Sequence, residues 1–256
     1  MNKDTMPPNG PAAELEYSDL GGAADAHLRS TELQQLRFRN ARRVQEAVTA
    51  SLEKRALVWM AERMPAWINS DHLTLLGAAG MSLAGASYAV AGRHRAGLLL
   101  ATFFLAVNWL GDSLDGTLAR VRNRQRPRYG FYLDHVIDSF GALFVMGGLA
   151  ISGYMHWAIA IGLLIAFLMF SIEVYLATYT LGNFQLSYWK LGPTEIRILL
   201  AVGNLVLYFQ PHLRVLGERF RLFDVGGVVA IAAMTTMLVV AVIKHTLRLY
   251  REERLP

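Results

Sequence analysis

The 256-residue chain contains no cysteine. That absence excludes disulfide frameworks, zinc held by thiolates and a cysteine nucleophile. Charge is scarce too: Asp, Glu, Lys and Arg form 18% of the chain, against roughly 25% in a soluble domain. No apolar core follows a basic start, so no cleavable signal peptide is expected. What is abundant is apolar: 54% of the residues, with a positive mean hydropathy. These figures exclude a disordered chain, collagen and coiled coil, and point to one polytopic membrane domain. The 25 basic residues exceed the 20 acidic ones, but the excess falls between apolar runs. A membrane surface, and not nucleic acid, is the partner that such a distribution suits.

Residues 1–30 are polar and rich in Pro and Gly, including Pro7, Pro8, Pro11, Gly21 and Gly22, and read as a flexible tail. Over 31–66 the pattern becomes helical, with Leu36, Val44, Val48, Leu52, Leu57 and Met60 set among charged residues. Two readings stand side by side: an amphipathic juxtamembrane helix lying on the membrane face, or a helix packed against the rest of the domain. A six-helix membrane catalytic domain is expected over 67–256. Its spans, each needing about 20 residues to cross the hydrocarbon, fall near 73–92, 96–118, 131–153, 156–180, 195–210 and 224–246. The fold class is therefore all-α, a polytopic integral membrane protein of six transmembrane helices plus the N-terminal helix.

Six spans put both termini on one side, and the basic residues say which side. The N-terminal flank holds Arg37, Arg39, Arg42, Arg43, Lys54, Arg55 and Arg63. The loop after the second span holds Arg120, Arg122, Arg124, Arg126 and Arg128, and the C-terminal flank adds Lys244, Arg248, Arg251 and Arg254. By the positive-inside rule both termini and the arginine loop face the cytoplasm, with a cytoplasmic membrane as the expected location.

Carboxylates inside a span are costly, and they mark function by default. Asp112 and Asp115 are three apart on the second span, and Asp134 and Asp138 are four apart on the third. Each pair shares one helical face. Two such helices side by side bring four carboxylates onto one cavity, where mutual repulsion calls for hard divalent cations, Mg²⁺ or Mn²⁺. Gly116 and Ala119 keep the same strip of helix free of bulk. Arg120 adds a permanent cation suited to a diphosphate oxygen. Metal, diphosphate and a cavity at the membrane face suggest chemistry on an activated phosphate.

Asp112-x-x-Asp115-Gly116-x-x-Ala119-Arg120, nine residues, then Gly130-x-x-x-Asp134-x-x-x-Asp138 resembles the signature of the CDP-alcohol phosphotransferases, with all eight fixed positions present in order. The nine-residue spacer is about one longer than the family's usual. The segment from Ser70 to Gly77 resembles the family's approach to its first span. The resemblance implies transfer of a substituted phosphate from a CDP-linked donor to a lipid or polar alcohol, with release of CMP. It implies that Asp112, Asp115, Asp134 and Asp138 hold the metal, in two ions, and that Asp138 is also the general base. Gly116 and Ala119 would make room for the cytidine, and Arg120 would contact the donor phosphates. A homodimer is expected on the same ground alone.

Asp134-His135-x-x-Asp138-Ser139 resembles the version in choline and ethanolamine phosphotransferases; the alternative is a hydrogen-bonded helix histidine turned away from the site. Glu173 either lines an acceptor site or pairs with a hydroxyl or Arg of a neighbouring span. Lys190 and Arg197 either meet an acceptor phosphate or belong to an ordinary basic interface. Two other functions use buried acids: an intramembrane prenyltransferase acting on a prenyl diphosphate, and an ion- or proton-coupled transporter.

Overall fold

A computed structural model describes residues 50–181, 193–210, 213–215 and 218–253. The tail expected over 1–30, the helical pattern over 31–49 and Lys190 lie outside the described residues. Helix α1 (Ala50–Arg63) is followed by α2 (Ser70–Ala91), α3 (Ala96–Val121), α4 (Pro127–Ser152) and α5 (Trp157–Leu181). Then come α6 (Pro193–Phe209) and α7 (Leu222–Glu252). Between these two, β1 (Leu213–Val215) pairs antiparallel with β2 (Glu218–Phe220), Leu213 opposite Phe220.

Five helices, α2 to α5 and α7, are long and apolar enough to cross a membrane. Their outward faces leave Leu83, Phe103, Phe144, Ile165 and Val229 exposed, as lipid-facing surfaces do. The chain is an all-α polytopic membrane protein. The span expected at 195–210 is occupied by α6, whose 17 residues extend about 25 Å. That is less than the roughly 30 Å of a typical hydrocarbon core, so α6 differs in kind from the other five.

The helix ends follow from local chemistry. Asn69 caps α2 by accepting from the His72 backbone N–H at 3.1 Å, and the Asn69 N–H donates to His72 Nδ1 at 3.3 Å. The pair forms a capping box with histidine in the place usually held by Glu or Gln. Helix α4 starts on Pro127, whose missing N–H has no intrahelical partner to lose. It stops at Gly153, which takes the left-handed conformation at φ 76°. The turn that follows is tied to the start of α7, where Asp224 accepts from the His156 N–H at 2.6 Å.

Helix α2 is the common partner of α3 and α4, each of which packs far more extensively on α2 than on the other. Glycines make this possible. A Cβ on Gly111 of α3 would lie 2.5 Å from Gly77 N, and one on Gly148 of α4 would lie 2.0 Å from Gly85 O. Backbones in contact at small residues are how membrane helices gain packing energy where no hydrophobic drive exists. Asn108 adds a buried bond from Nδ2 to Gly77 O at 2.9 Å.

Around these crossings lie two apolar clusters. The larger gathers Tyr88, Leu98, Leu105, Leu149, Leu207 and Phe223 from α2, α3, α4, α6 and α7. The smaller sets Leu57 and Ala61 of α1 against Leu73, Leu114 and Leu118. Helix α1 thus turns its apolar stripe onto α2 and α3. The linker behind it is held by one guanidinium: Arg122 donates to the carbonyls of Met64 at 2.8 Å and Pro65 at 2.9 Å, and to that of Ile68. Positive-inside anchoring alone does not account for Arg122.

The α2–α4 crossing generates a direct test. Gly148→Ala forces a methyl onto the Gly85 carbonyl and is expected to destabilise the protein by about 1–3 kcal/mol. Gly147→Ala, whose Cβ would meet nothing within 4 Å, is the control and should melt with the wild type. Thermal melts in detergent distinguish them; equal melting temperatures would contradict the crossing.

Candidate active site

Three of the sequence-predicted carboxylates converge. Asp112 of α3 with Asp134 and Asp138 of α4 offer oxygens that lie within 4.8 Å of one another, all three side chains partly buried. They meet because α3 and α4 both pack on α2. The Gly77–Gly111 contact stands one residue before Asp112. Two unit charges about 4 Å apart repel by roughly 4 kcal/mol even at an effective dielectric of 20, so such a cluster needs cations.

One cation is supplied by the chain. Arg197 of α6, almost fully buried, donates to Asp112 Oδ2 at 2.6 Å. Of the two readings open for Arg197 from sequence, neither had it on a motif aspartate. The fourth carboxylate, Asp115, is engaged elsewhere: Thr74 donates to its Oδ2 at 2.6 Å, and the Gly116 N–H donates to its Oδ1. Thr74 lies one turn into α2, so the start of the first span steadies the acid that the motif assigns to metal.

The remaining motif positions line the same end of α3 and α4. Gly116 faces Arg120: a Cβ there would stand 3.4 Å from its guanidinium. Arg120 is solvent-exposed and donates to Thr117 Oγ1 at 2.9 Å. Ala119 is partly buried beside it, and Gly130, in the first turn of α4, has free space where a Cβ would stand. Nearby in sequence, Arg126 pairs with Asp71 and lies over the Tyr129 ring at 4.2 Å.

His135 does not join the carboxylates squarely. Its Nδ1 is 2.7 Å from the Phe131 carbonyl, which can only accept, so Nδ1 carries the proton. The ring stacks on Phe131 at 4.1 Å and meets the edge of Tyr175 at 4.7 Å, while Asp134 Oδ2 is 3.7 Å away. Glu173, two residues before Tyr175 on α5, turns the other way. Its Oε1 is 2.6 Å from His245 Nδ1 on α7, a partner that is neither the hydroxyl nor the Arg anticipated from sequence.

One residue outside every motif also reaches this region. Glu53 of α1 accepts through Oε1 from Trp109 Nε1 at 2.8 Å, Thr194 Oγ1 at 3.0 Å and Ser113 Oγ at 3.3 Å. Thr194 reads from sequence as a helix cap. Helix α6 instead starts before it, at Pro193, and its hydroxyl serves Glu53. Glu53 carried no sequence signal beyond its place in an amphipathic pattern.

Fold and site together define an intramembrane carboxylate centre built on paired helices with oxygen donors, the ligand chemistry of Mg²⁺ and Mn²⁺. The family model for CDP-alcohol phosphatidyltransferase matches residues 67–244, and the chain belongs to that family. A comparison with curated proteins finds no match. Family membership supports a phosphotransferase role in phospholipid synthesis over the prenyltransferase and transporter alternatives.

The charge arrangement yields opposite expectations for two isosteric variants in metal-free protein. Asp138→Asn relieves repulsion and separates no ion pair seen in the structure. Its melting temperature should rise by about 2–4 °C, equivalent to roughly 1 kcal/mol in a chain of this size. Asp112→Asn leaves Arg197 without its anion and should lower melting instead. Melting both in EDTA checks this, and a fall for both would contradict it.

Proposed function

We propose that the protein is a metal-dependent CDP-alcohol phosphotransferase that transfers a substituted phosphate from a CDP-linked donor to an alcohol, releasing CMP. The observation that carries this reading is the convergence of Asp112, Asp134 and Asp138 within a chain of this family. In this reading the three hold divalent metal, with Asp115 as fourth ligand, as hard oxygen donors suit Mg²⁺ or Mn²⁺. When bound, two such ions neutralise the diphosphate and stabilise the departing CMP.

The chain's own residues do the rest. Asp138 takes the proton from the acceptor hydroxyl. The hydroxyl oxygen bonds to the phosphorus bearing the donor's alcohol, and the bond from that phosphorus to the bridging oxygen breaks. CMP leaves with that oxygen. Arg120, which is exposed, contacts the donor phosphates, and Gly116 with Ala119 leaves room for the cytidine. Arg197 holds Asp112 in place, and the Thr74 hydroxyl does the same for Asp115. Positioning and charge stabilisation supply most of the rate in such a transfer.

The same reading assigns residues 1–30 to a tail, 31–66 to a surface helix region and 67–256 to a catalytic domain. It orients both termini and the site to the cytoplasm, where water-soluble and lipid substrates meet. The short α6 then serves as the sixth span, and the active form is a homodimer. CDP-diacylglycerol with a polar alcohol and a CDP-amino-alcohol with diacylglycerol both suit the aspartates.

CMP release by the lipid-reconstituted protein tests it, with each donor against a panel of acceptors, with and without Mg²⁺ or Mn²⁺. Release is expected only with metal, and Asp138→Asn is expected to reduce it by about 100-fold or more. The productive donor names the branch. Metal-independent release, or full activity in Asp138→Asn, would overturn the proposal.

A further inference from the structure

Helix α1 lies outside the aspartate motif, yet one of its side chains gathers the two helices that form the Arg197–Asp112 ion pair. Trp109 and Ser113 are four apart on α3 and share a face, with Asp112 between them in sequence. Thr194 is one turn before Arg197 on α6. Glu53 Oε1 accepts from all three of Trp109, Ser113 and Thr194. Helices α3 and α6 are therefore joined twice at one level. One joint is the direct contact of Arg197 with Asp112 at 2.6 Å; the other runs through Glu53. A third contact, Asn204 to Thr102 at 3.0 Å, lies two turns or more away along both helices and acts as a pivot.

The geometry matters because Arg197 is a long side chain on the shortest of the membrane helices. Its reach to Asp112 depends on where the first turn of α6 sits. At this level that turn is tied to α3 by Arg197 itself and, through Thr194, by Glu53. A carboxylate is suited to this task. It accepts several donors at once, and charge-assisted bonds are roughly twice as strong as neutral ones.

We propose that Glu53 is a positioning residue: from the juxtamembrane helix it fixes the start of α6 against α3, so that Arg197 orients the metal-binding carboxylate of Asp112. The proposal rests on the reading of Asp112 as a metal ligand. Glu53 touches neither metal nor substrate and acts only through Arg197. Partners one step out from a metal ligand typically contribute about 10–100-fold to metal affinity or activity.

The experiment uses the full chain in nanodiscs of defined lipid, with Mn²⁺ affinity measured calorimetrically and CMP release measured beside it. Glu53→Ala is expected to weaken Mn²⁺ binding by about tenfold or more, and Glu53→Gln, which keeps the accepting oxygen, to recover most of that loss. Because the two residues act in series, adding Glu53→Ala to Arg197→Ala should produce little further loss. A general structural role would give additive losses and no rescue by Gln.

A second readout needs no metal. The chain has no cysteine, so spin labels at Arg55→Cys and Leu199→Cys, both exposed, report the α1–α6 distance alone. A narrow distribution is expected in the parent and a broad one in Glu53→Ala. Where Glu53→Ala does not fold, Thr194→Val carries the test, since it removes only the α6 bond and should broaden the same distance. Unchanged Mn²⁺ affinity and an unchanged distance in these variants would overturn the proposal. Failure of the parent itself to bind Mn²⁺ would overturn the metal reading of the site instead, and the distance measurement would still decide whether Glu53 holds α6.

Discussion

The carboxylate centre depends on how closely α2 lets its two neighbours approach. Asp112 comes from α3 and the pair Asp134 and Asp138 from α4, yet those two helices barely pack on each other. Their relation is set by α2, through glycine contacts on each side. Membrane helices gain little from burying apolar surface, because lipid is as apolar as leucine. Direct backbone contact is what remains, and it fixes the helices in depth and rotation. Bulk inserted at Gly111 or Gly148 would move one set of carboxylates relative to the other. The motif's acids therefore require glycines that stand outside the motif.

Charge balance is the second constraint. A carboxylate cluster in the membrane has to be compensated, and the molecule meets the need in graded ways. Arg197 covers Asp112, while Thr74 and the Gly116 N–H take the oxygens of Asp115. Arg120 and the start of α4 lie exposed at the same end of the two helices.

Most of this architecture was legible because the signals were periodic or local. Apolar runs marked the long helices, and the four-residue spacing of Asp134 and Asp138 marked the face that meets Asp112; Asp115, set beside Asp112 by its three-residue spacing, is engaged by Thr74 instead. The shortness of α6 was also visible, since its apolar run stops at Phe209. What sequence did not disclose were contacts between residues far apart in the chain. Glu53 looked like one more charge on an amphipathic helix, and its partners Trp109 and Thr194 stand 56 and 141 residues away in the chain. Arg197 looked like a basic flank, and Glu173 gave no hint of His245. Each depends on which faces of two helices meet, and rotation about a helix axis is encoded in packing across the whole bundle, not in any short motif.

Helix α7 carries a consequence of another kind. Its 31 residues measure about 46 Å, well beyond a hydrocarbon core of roughly 30 Å. Its apolar part ends near Ile243, after which Lys244, Arg248 and Arg251 follow. The surplus has to be taken up by tilt or by projection into the headgroups. His245, bonded to Glu173, stands where the helix leaves the hydrocarbon. A change in bilayer thickness therefore bears on the tilt or projection of α7, and α5 meets that helix at the Glu173–His245 contact as well as at Ile159–Gly227 and Gly162–Ile231.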